Sequence, residues 1–149
     1  YIFFLNPDTI LENYTLEKII STFKKNNLID AISPHIILAK TGQLQPECHR
    51  GFPYPTRSLT HFLGLSSRGY FLTNLDFKKP HISEAGVGAA IILKRKVGGK
   101  IGWWDEDYFM YAEDLDLCLR IKKAGYKIMY VPEVKTLHHR ITTTTQLLL

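Results

Sequence analysis

Three carboxylates lie within four residues in the last third of the chain, at Glu113, Asp114 and Asp116. They begin a stretch in which apolar residues recur at helical spacing as far as Ile121. Counting back from Ile121 in helical steps places Asp114 on the apolar face, one turn from the buried residues. A carboxylate in that position can accept a proton from a substrate hydroxyl at the floor of a cleft. The alternative is that acids simply favour the first helical turn, where unpaired N–H groups and the helix dipole stabilise them.

Asp116 is predicted to have a different environment from Asp114. It shares a helix face with Arg120, four residues further on, where a solvated ion pair is the ordinary outcome. We therefore exclude Asp116 from the candidate catalytic residues. The apolar stripe of the same helix is predicted to consist of Leu117, Cys118 and Ile121.

Length and composition predict one globular domain. The chain has 149 residues, of which 45% are hydrophobic, which is enough to bury a core. Its net charge of +5 suits an anionic partner such as a nucleotide diphosphate, an anionic membrane surface or nucleic acid, although surface lysines also serve solubility. Because the basic residues are scattered and no nucleic-acid-reading motif accompanies them, we expect no nucleic-acid partner.

Cysteine usage and hydropathy indicate the compartment. Cys48 and Cys118 are far apart in sequence, which predicts neither a disulfide framework nor a zinc site. A reducing, cytoplasmic compartment is therefore expected. No apolar run approaches the roughly 18 residues of a membrane span, so any membrane contact is expected to be peripheral. The sequence does not indicate an oligomeric state.

The first part of the chain is predicted to alternate strand, helix and strand. Residues 1–5 are apolar on both faces and end at a turn, as in a buried strand of a parallel or mixed sheet. An interior strand at the first residue predicts that the chain is the later part of a longer α/β domain. A helix capped by Asn13 or Thr15 follows, and then strand pieces at residues 31–33 and 36–39. The buried face of the helix is expected to comprise Leu16, Ile19, Ile20 and Phe23.

The rest of the chain begins with a proline-rich, irregular segment at residues 46–85, which predicts a binding loop, a lid or an insertion. Residues 86–93 predict a buried strand, followed by a short helix interrupted at residues 98–99. The helix that begins at Glu113 is expected to end at Gly125, and the next strand to stop at Pro132. Residues 141–149 are predicted to be a frayed or truncated tail.

Several segments resemble a known family in their order and spacing. They are residues 4–9, with Asn-Pro-Asp, residues 88–95, residues 108–120, with Glu-Asp, residues 124–132 and the histidine pair at 138–139. Together they resemble the C-terminal two thirds of a family 2 glycosyltransferase with the GT-A fold, nearest to the rhamnosyltransferase-like members. The resemblance implies a partial GT-A α/β fold at residues 1–140, with a mixed, mostly parallel sheet flanked by helices and the N-terminal strands missing. Residues 46–85 would then form an acceptor-side loop or insertion.

The resemblance implies a donor site at the turn after the first strand. Asn6 and Asp8 occupy the places of the family's paired acids, and Asp8 would help to hold Mg²⁺ or Mn²⁺ against the diphosphate of a nucleotide-sugar donor. Because Asn6 replaces an acid, the chain supplies one charge fewer than many relatives. Gly88 and Ala89 are small enough for backbone to approach the donor, but small residues there could equally serve tight packing.

The histidine pair completes the implied metal site. His138 or His139 corresponds to a histidine that in many GT-A enzymes reaches the metal or the diphosphate, and a neutral imidazole is a suitable ligand for a cation. The alternative for two histidines near a chain end is simple exposure to solvent.

The resemblance also implies an acceptor site. Asp114 matches the family's base, which deprotonates the acceptor hydroxyl, and Glu113 would support it or contact the acceptor. Aromatic rings before this helix would wall the acceptor subsite, because sugar C–H faces pack on them, although aromatic residues there are more often core. These rings belong to Trp103, Trp104, Tyr108 and Phe109.

The resulting hypothesis is an inverting transfer of a sugar, with rhamnose as a candidate, from a nucleotide-diphosphate donor to a saccharide or lipid-linked acceptor. Such an enzyme would serve cell-surface polysaccharide synthesis, in the cytoplasm or on the inner face of the cytoplasmic membrane. The sequence leaves open a non-catalytic remnant or partner-binding module that lacks the donor site. A metal-dependent hydrolase using Asp8, Asp114 and the histidine pair is a further alternative.

Overall fold

A computed structural model describes residues 1–55, 63, 75–108 and 112–140, and shows a mixed α/β domain. The helices of the described residues are α1 (Thr15–Lys25), α2 (Arg95–Ile101) and α3 (Glu113–Lys123), and a 3₁₀ turn spans Pro46–His49. The strands are β1 (Ile2–Leu5), β2 (Thr9–Leu11), β3 (Ala31–Leu38), β4 (His81–Ser83), β5 (Ala90–Leu93) and β6 (Ile128–His138).

The six strands form one sheet in the order β1-β5-β3-β6-β2, with β4 paired to the first part of β6. Only the β3–β6 pair is parallel among the described strands, and every other pair is antiparallel. The predicted mostly parallel sheet is therefore wrong. Burial on both faces makes a strand uniformly apolar, as in β5, but this pattern does not fix the direction of the neighbouring strand.

A register shift allows two prolines to lie within central strands. β3 and β6 pair in register up to Pro34 and Val131, and pairing resumes at His35 and Lys135. Residues 132–134 therefore form a bulge, where a residue without an N–H group is tolerated. This is why β6 does not stop at Pro132 as predicted but continues to His138.

The helices agree with the predictions in part. In α1, Ile19 and Phe23 are buried as expected, but Leu16 and Ile20 are exposed, and the N-cap is Tyr14 rather than Asn13 or Thr15. The hydroxyl of Thr15 instead donates to carbonyls of the preceding turn and of β6.

α2 passes through Gly98 and Gly99 without the predicted interruption. α3 begins at Glu113 as predicted, and Gly125 follows its end in the left-handed conformation that favours glycine. The predicted stripe of Leu117, Cys118 and Ile121 is fully buried.

The core lies on both faces of β3 and β5. One cluster packs α2 and α3 against the sheet, and a second packs α1 against the other side around Phe23. Within the described ranges, no helix has the length and apolar composition needed to cross a membrane.

Candidate functional site

Asp114 faces the interior, as the helical spacing predicted, and is 8% exposed. Its Oδ2 accepts a hydrogen bond of 3.0 Å from the Gly88 N–H and contacts the guanidinium of Arg50. Its Oδ1 accepts a bond of 2.8 Å from the Leu115 N–H. Three donors therefore fix the carboxylate, and of its roughly four lone-pair positions one remains on Oδ1 for a further donor.

Glu113 lies beside the same glycine. A Cβ added at Gly88 would be 3.6 Å from Glu113 Oε1 and 3.5 Å from Asp114 Cβ. The second oxygen, Glu113 Oε2, is enclosed and has no hydrogen-bond partner among the described residues. Since an enclosed carboxylate oxygen without a donor is costly, this atom is suited to accept a hydrogen bond from a bound ligand.

Asp116 forms the ion pair with Arg120 that the sequence predicted. Arg120 Nη2 lies 2.6 Å from Asp116 Oδ2, and Arg120 also donates to the carbonyls of Ile101 and Trp103. Arg120 thereby joins the end of α2 to α3, so the role of Asp116 is structural.

Asp8 and His138 meet at the other end of the site. His138 Nε2 lies 3.3 Å from Asp8 Oδ2, and the side chains are 9% and 15% exposed. His138 is the last residue of β6 and pairs with Thr9 of β2, so the sheet itself places this ring beside the turn that carries Asp8. His139 is exposed, and its backbone N–H donates to the Asp8 carbonyl. Of the two predicted histidines, it is His138 whose ring faces Asp8.

Gly88 and Ala89 connect the two ends. The Ala89 carbonyl accepts hydrogen bonds from the Asn6 N–H at 3.0 Å and from the Thr9 hydroxyl at 3.4 Å, on either side of Asp8. The preceding residue, Gly88, donates to Asp114. The turn before β5 therefore brings together the sequence-predicted residues of both ends.

The aromatic residues predicted to wall the acceptor site have different surroundings. Trp103 and Trp104 pack edge-on against Phe4 of β1, with ring centroids 6.3 and 5.2 Å away, and Trp103 also covers Gly98 of α2. Tyr108 is 41% exposed. Phe109 lies outside the described residues. Contact of these rings with an acceptor stays a prediction.

Two further residues contact the predicted site residues. Arg50 contacts Asp114, and Gln45 Oε1 lies 2.8 Å from His138 Nδ1, across 93 residues of sequence. They flank the 3₁₀ turn Pro46–His49, which begins the segment predicted to be irregular. Neither residue lies in a segment with helical or strand periodicity, so no local sequence pattern marks them.

Both cysteines are packing residues. Burial raises the pKa of Cys48 and that of Cys118 to about 12, so both thiols stay protonated at neutral pH. Cys118 Sγ also accepts a hydrogen bond from the Gly86 N–H. Thiolate chemistry is therefore not a property of these two residues.

Asp8 and His138 fit a divalent cation that is shared with a ligand. Adjacent oxygen and nitrogen ligands of an octahedral ion are about 3 Å apart, close to the 3.3 Å observed between the two side chains. No group of three or more His, Cys, Asp or Glu residues converges as a metal site in the described parts of the chain. Two protein ligands suit an ion that is held largely by substrate phosphates, as Mg²⁺ commonly is.

Sequence comparison identifies the class of protein to which this fold and site belong. The model of the family described as "Glycosyl transferase family group 2" matches residues 1–146, so the chain belongs to this family. The chain is 27% identical over 141 residues to Rhamnosyltransferase WbbL of Escherichia coli K12, covering 93% of this chain and 52% of that protein. It is 44% identical over 57 residues to the N-acetylglucosaminyl-diphospho-decaprenol L-rhamnosyltransferase of Mycobacterium tuberculosis, covering 38% of this chain and 19% of that protein.

These matches make the chain rhamnosyltransferase-like within family 2. It spans about half the length of the E. coli relative and a smaller share of the mycobacterial one.

Proposed function

We propose that the protein transfers a sugar, rhamnose foremost, from a nucleotide-diphosphate donor to a saccharide or lipid-linked acceptor with inversion at the anomeric carbon. The observation that carries this proposal is the arrangement of the site. Asp8 and His138 lie at one end, Asp114 lies at the other, and the turn at Gly88 and Ala89 joins them. Family membership and the names of the relatives support sugar transfer.

On the donor side, Asp8 and His138 would hold Mg²⁺ or Mn²⁺ together with the diphosphate. The bound cation supplies charge neutralisation as the nucleotide diphosphate leaves. Asn6 has no charge to contribute and donates its backbone N–H to Ala89, so it shapes the turn rather than binding the ion. Gly88 leaves room for the donor above the turn.

On the acceptor side, Asp114 accepts the proton of the attacking hydroxyl. The acceptor oxygen forms its bond to the anomeric carbon while the bond from that carbon to the diphosphate oxygen breaks. Arg50 and the two backbone N–H groups keep the carboxylate aimed in one direction, which a base requires for proton transfer. Glu113 Oε2 would accept a hydrogen bond from a second acceptor hydroxyl.

A lipid-linked acceptor places the protein at a membrane surface. The name of the mycobacterial relative includes a diphospho-decaprenol acceptor. The net charge of +5 suits the anionic surface from which such an acceptor would be presented. We therefore propose peripheral contact with the cytoplasmic face of the membrane and a role in cell-surface polysaccharide synthesis.

A transfer assay tests the proposed function. The purified protein is incubated with Mn²⁺, dTDP-rhamnose or a UDP-sugar, and N-acetylglucosaminyl-diphospho-polyprenol, with an EDTA-treated sample as the control. We expect a glycosylated product and release of nucleotide diphosphate, both lost with EDTA. Donor binding without turnover for any acceptor would instead favour a partner-binding module, and neither binding nor turnover for any donor would contradict the proposal.

A further inference from the structure

Gln45 is a buried amide whose side chain meets the candidate metal ligand. It is 4% exposed and precedes the 3₁₀ turn. Its backbone N–H donates to the Ile36 carbonyl of β3 at 2.8 Å, which anchors the residue to the sheet. Its Oε1 lies 2.8 Å from His138 Nδ1. The backbone of Gln45 is thus held by β3, and its side-chain amide contacts the ring.

For a neutral His138 ring, this contact places the proton on Nδ1. An amide oxygen only accepts hydrogen bonds, so Nδ1 must be the donor. A neutral ring with its proton on Nδ1 presents the lone pair of Nε2. Nε2 of this tautomer lies 3.3 Å from Asp8 Oδ2. A nitrogen lone pair and a carboxylate oxygen at this separation can bind the same cation.

We propose that Gln45 is a positioning residue that holds His138 in the Nδ1–H tautomer, so that Nε2 and the Asp8 carboxylate form one edge of a divalent-cation site. This inference rests on the donor side of the proposed function. A histidine that binds a metal generally donates its other N–H to a fixed acceptor, and loss of that acceptor weakens metal binding by about 10- to 100-fold. Gln45 is that acceptor here.

The first measurement is the tautomer of His138 in the protein without metal. It is read from the ring ¹⁵N shifts of histidine-labelled protein at pH 8, with His138→Asn to assign the signals. We expect Nδ1–H in wild type and in Gln45→Glu, which keeps an acceptor oxygen, and loss of that preference in Gln45→Leu. Gln43→Leu, the same change at an exposed neighbour, should leave the spectrum as in wild type.

The second measurement is Mn²⁺ affinity, followed by electron paramagnetic resonance with UDP or dTDP present. Gln45→Leu should weaken Mn²⁺ binding by about 10- to 100-fold, whereas Gln45→Glu and Gln43→Leu should stay close to wild type. Nε2–H in wild type, wild-type Mn²⁺ affinity in Gln45→Leu, or no Mn²⁺ binding in wild type would each overturn the inference. If the tautomer and the Mn²⁺ affinities behave as expected but no sugar is transferred, the proposed function fails and the inference stands.

Discussion

At the scale of single residues, Gly88 is the position where packing and ligand approach can be separated. The sequence left open whether its small size serves a ligand or the core. In the structure, an added Cβ would meet Asp114 and Glu113 at 3.5–3.7 Å, which is ordinary contact distance. Packing therefore tolerates alanine here, but the methyl group would occupy the space in front of both acids.

We predict that Gly88→Ala leaves stability within about 0.5 kcal/mol of wild type but lowers kcat/KM about tenfold, equivalent to about 1.4 kcal/mol. Urea unfolding and the transfer assay measure the two quantities. Gly86→Ala is the matched control, because its Cβ would lie 3.3 Å from the buried Ser33 Oγ. It should cost about 1 kcal/mol of stability while the folded protein keeps its activity. Full activity in Gly88→Ala would contradict a role of this glycine in ligand approach.

The residues that could be predicted from the sequence are those within one helix or one turn. The inward position of Asp114 and the Asp116–Arg120 pair follow from helical periodicity, which needs only local sequence. Gln45 and Arg50 could not be predicted in the same way. Their partners are distant in sequence, and only the assembled sheet brings them together.

At the scale of elements, the packing of α2 against Trp103, which follows the helix, depends on a glycine. Gly98 lies beneath the indole ring, and an added Cβ would be 2.0 Å from a ring atom. An alanine there must displace the ring from its contact with Phe4. We predict that Gly98→Ala lowers the free energy of unfolding by about 1–3 kcal/mol, measured by urea titration.

Gly99→Ala in the same helix is the control. No atom lies within 4 Å of a Cβ at this exposed position. The substitution should raise stability by about 0.5–1 kcal/mol, because alanine favours the helix and restricts the unfolded chain. Equal changes in the free energy of unfolding for Gly98→Ala and Gly99→Ala would mean that the position of Trp103 does not depend on the absence of a side chain at Gly98.

The strand pair β3–β6 carries a pH-sensitive group at its register shift. Burial, followed by the positive charge of Lys135, lowers the pKa of His35, with Glu12 acting in the opposite direction. His35 Nδ1 lies 2.5 Å from the oxygen of the Tyr130 hydroxyl, and this hydroxyl donates to the Phe77 carbonyl at 3.3 Å. A protonated ring therefore has an unfavourable environment in the folded state.

We predict that stability falls as the pH drops below about 6.5, the ordinary pKa of an unfolded histidine. In that range the unfolded chain binds a proton that the folded chain does not. The resulting loss of unfolding free energy accumulates until the pH falls below the lower folded pKa of His35. Melting temperatures of wild type and His35→Gln between pH 8 and pH 5 test this. A decline of the same steepness in both proteins would contradict the assignment to His35.

The directions of the strands could not be predicted from the hydrophobic pattern of each strand. β5 has the uniformly buried pattern expected of a parallel strand but lies between two antiparallel neighbours. Direction depends on how the connections cross the sheet, and hydrophobicity does not record this. Pro132 likewise predicts a strand end from local sequence, because its bulge depends on the pairing of β6 with β3.

At the scale of the whole molecule, the proposed donor and base ends of the site come from separate parts of the chain. Asp8 follows β1, His138 is the last residue of β6, and Asp114 lies in the first turn of α3. The turn before β5 contacts both ends of the site. The family resemblance implied this combination, and its motifs lie at the ends of predicted elements. The chemistry therefore depends on the sheet, and substitutions at the two ends should have separable effects.

Donor binding and turnover, measured in parallel for wild type, Asp8→Ala and Asp114→Asn, test this account most directly. Binding of the nucleotide sugar with Mn²⁺ is followed by calorimetry and turnover by release of nucleotide diphosphate. We predict that Asp8→Ala loses donor binding, whereas Asp114→Asn keeps it and loses about 10²- to 10⁴-fold in kcat, as expected for a general base. Wild-type turnover in Asp114→Asn, or unchanged Mn²⁺-dependent binding in Asp8→Ala, would contradict the account.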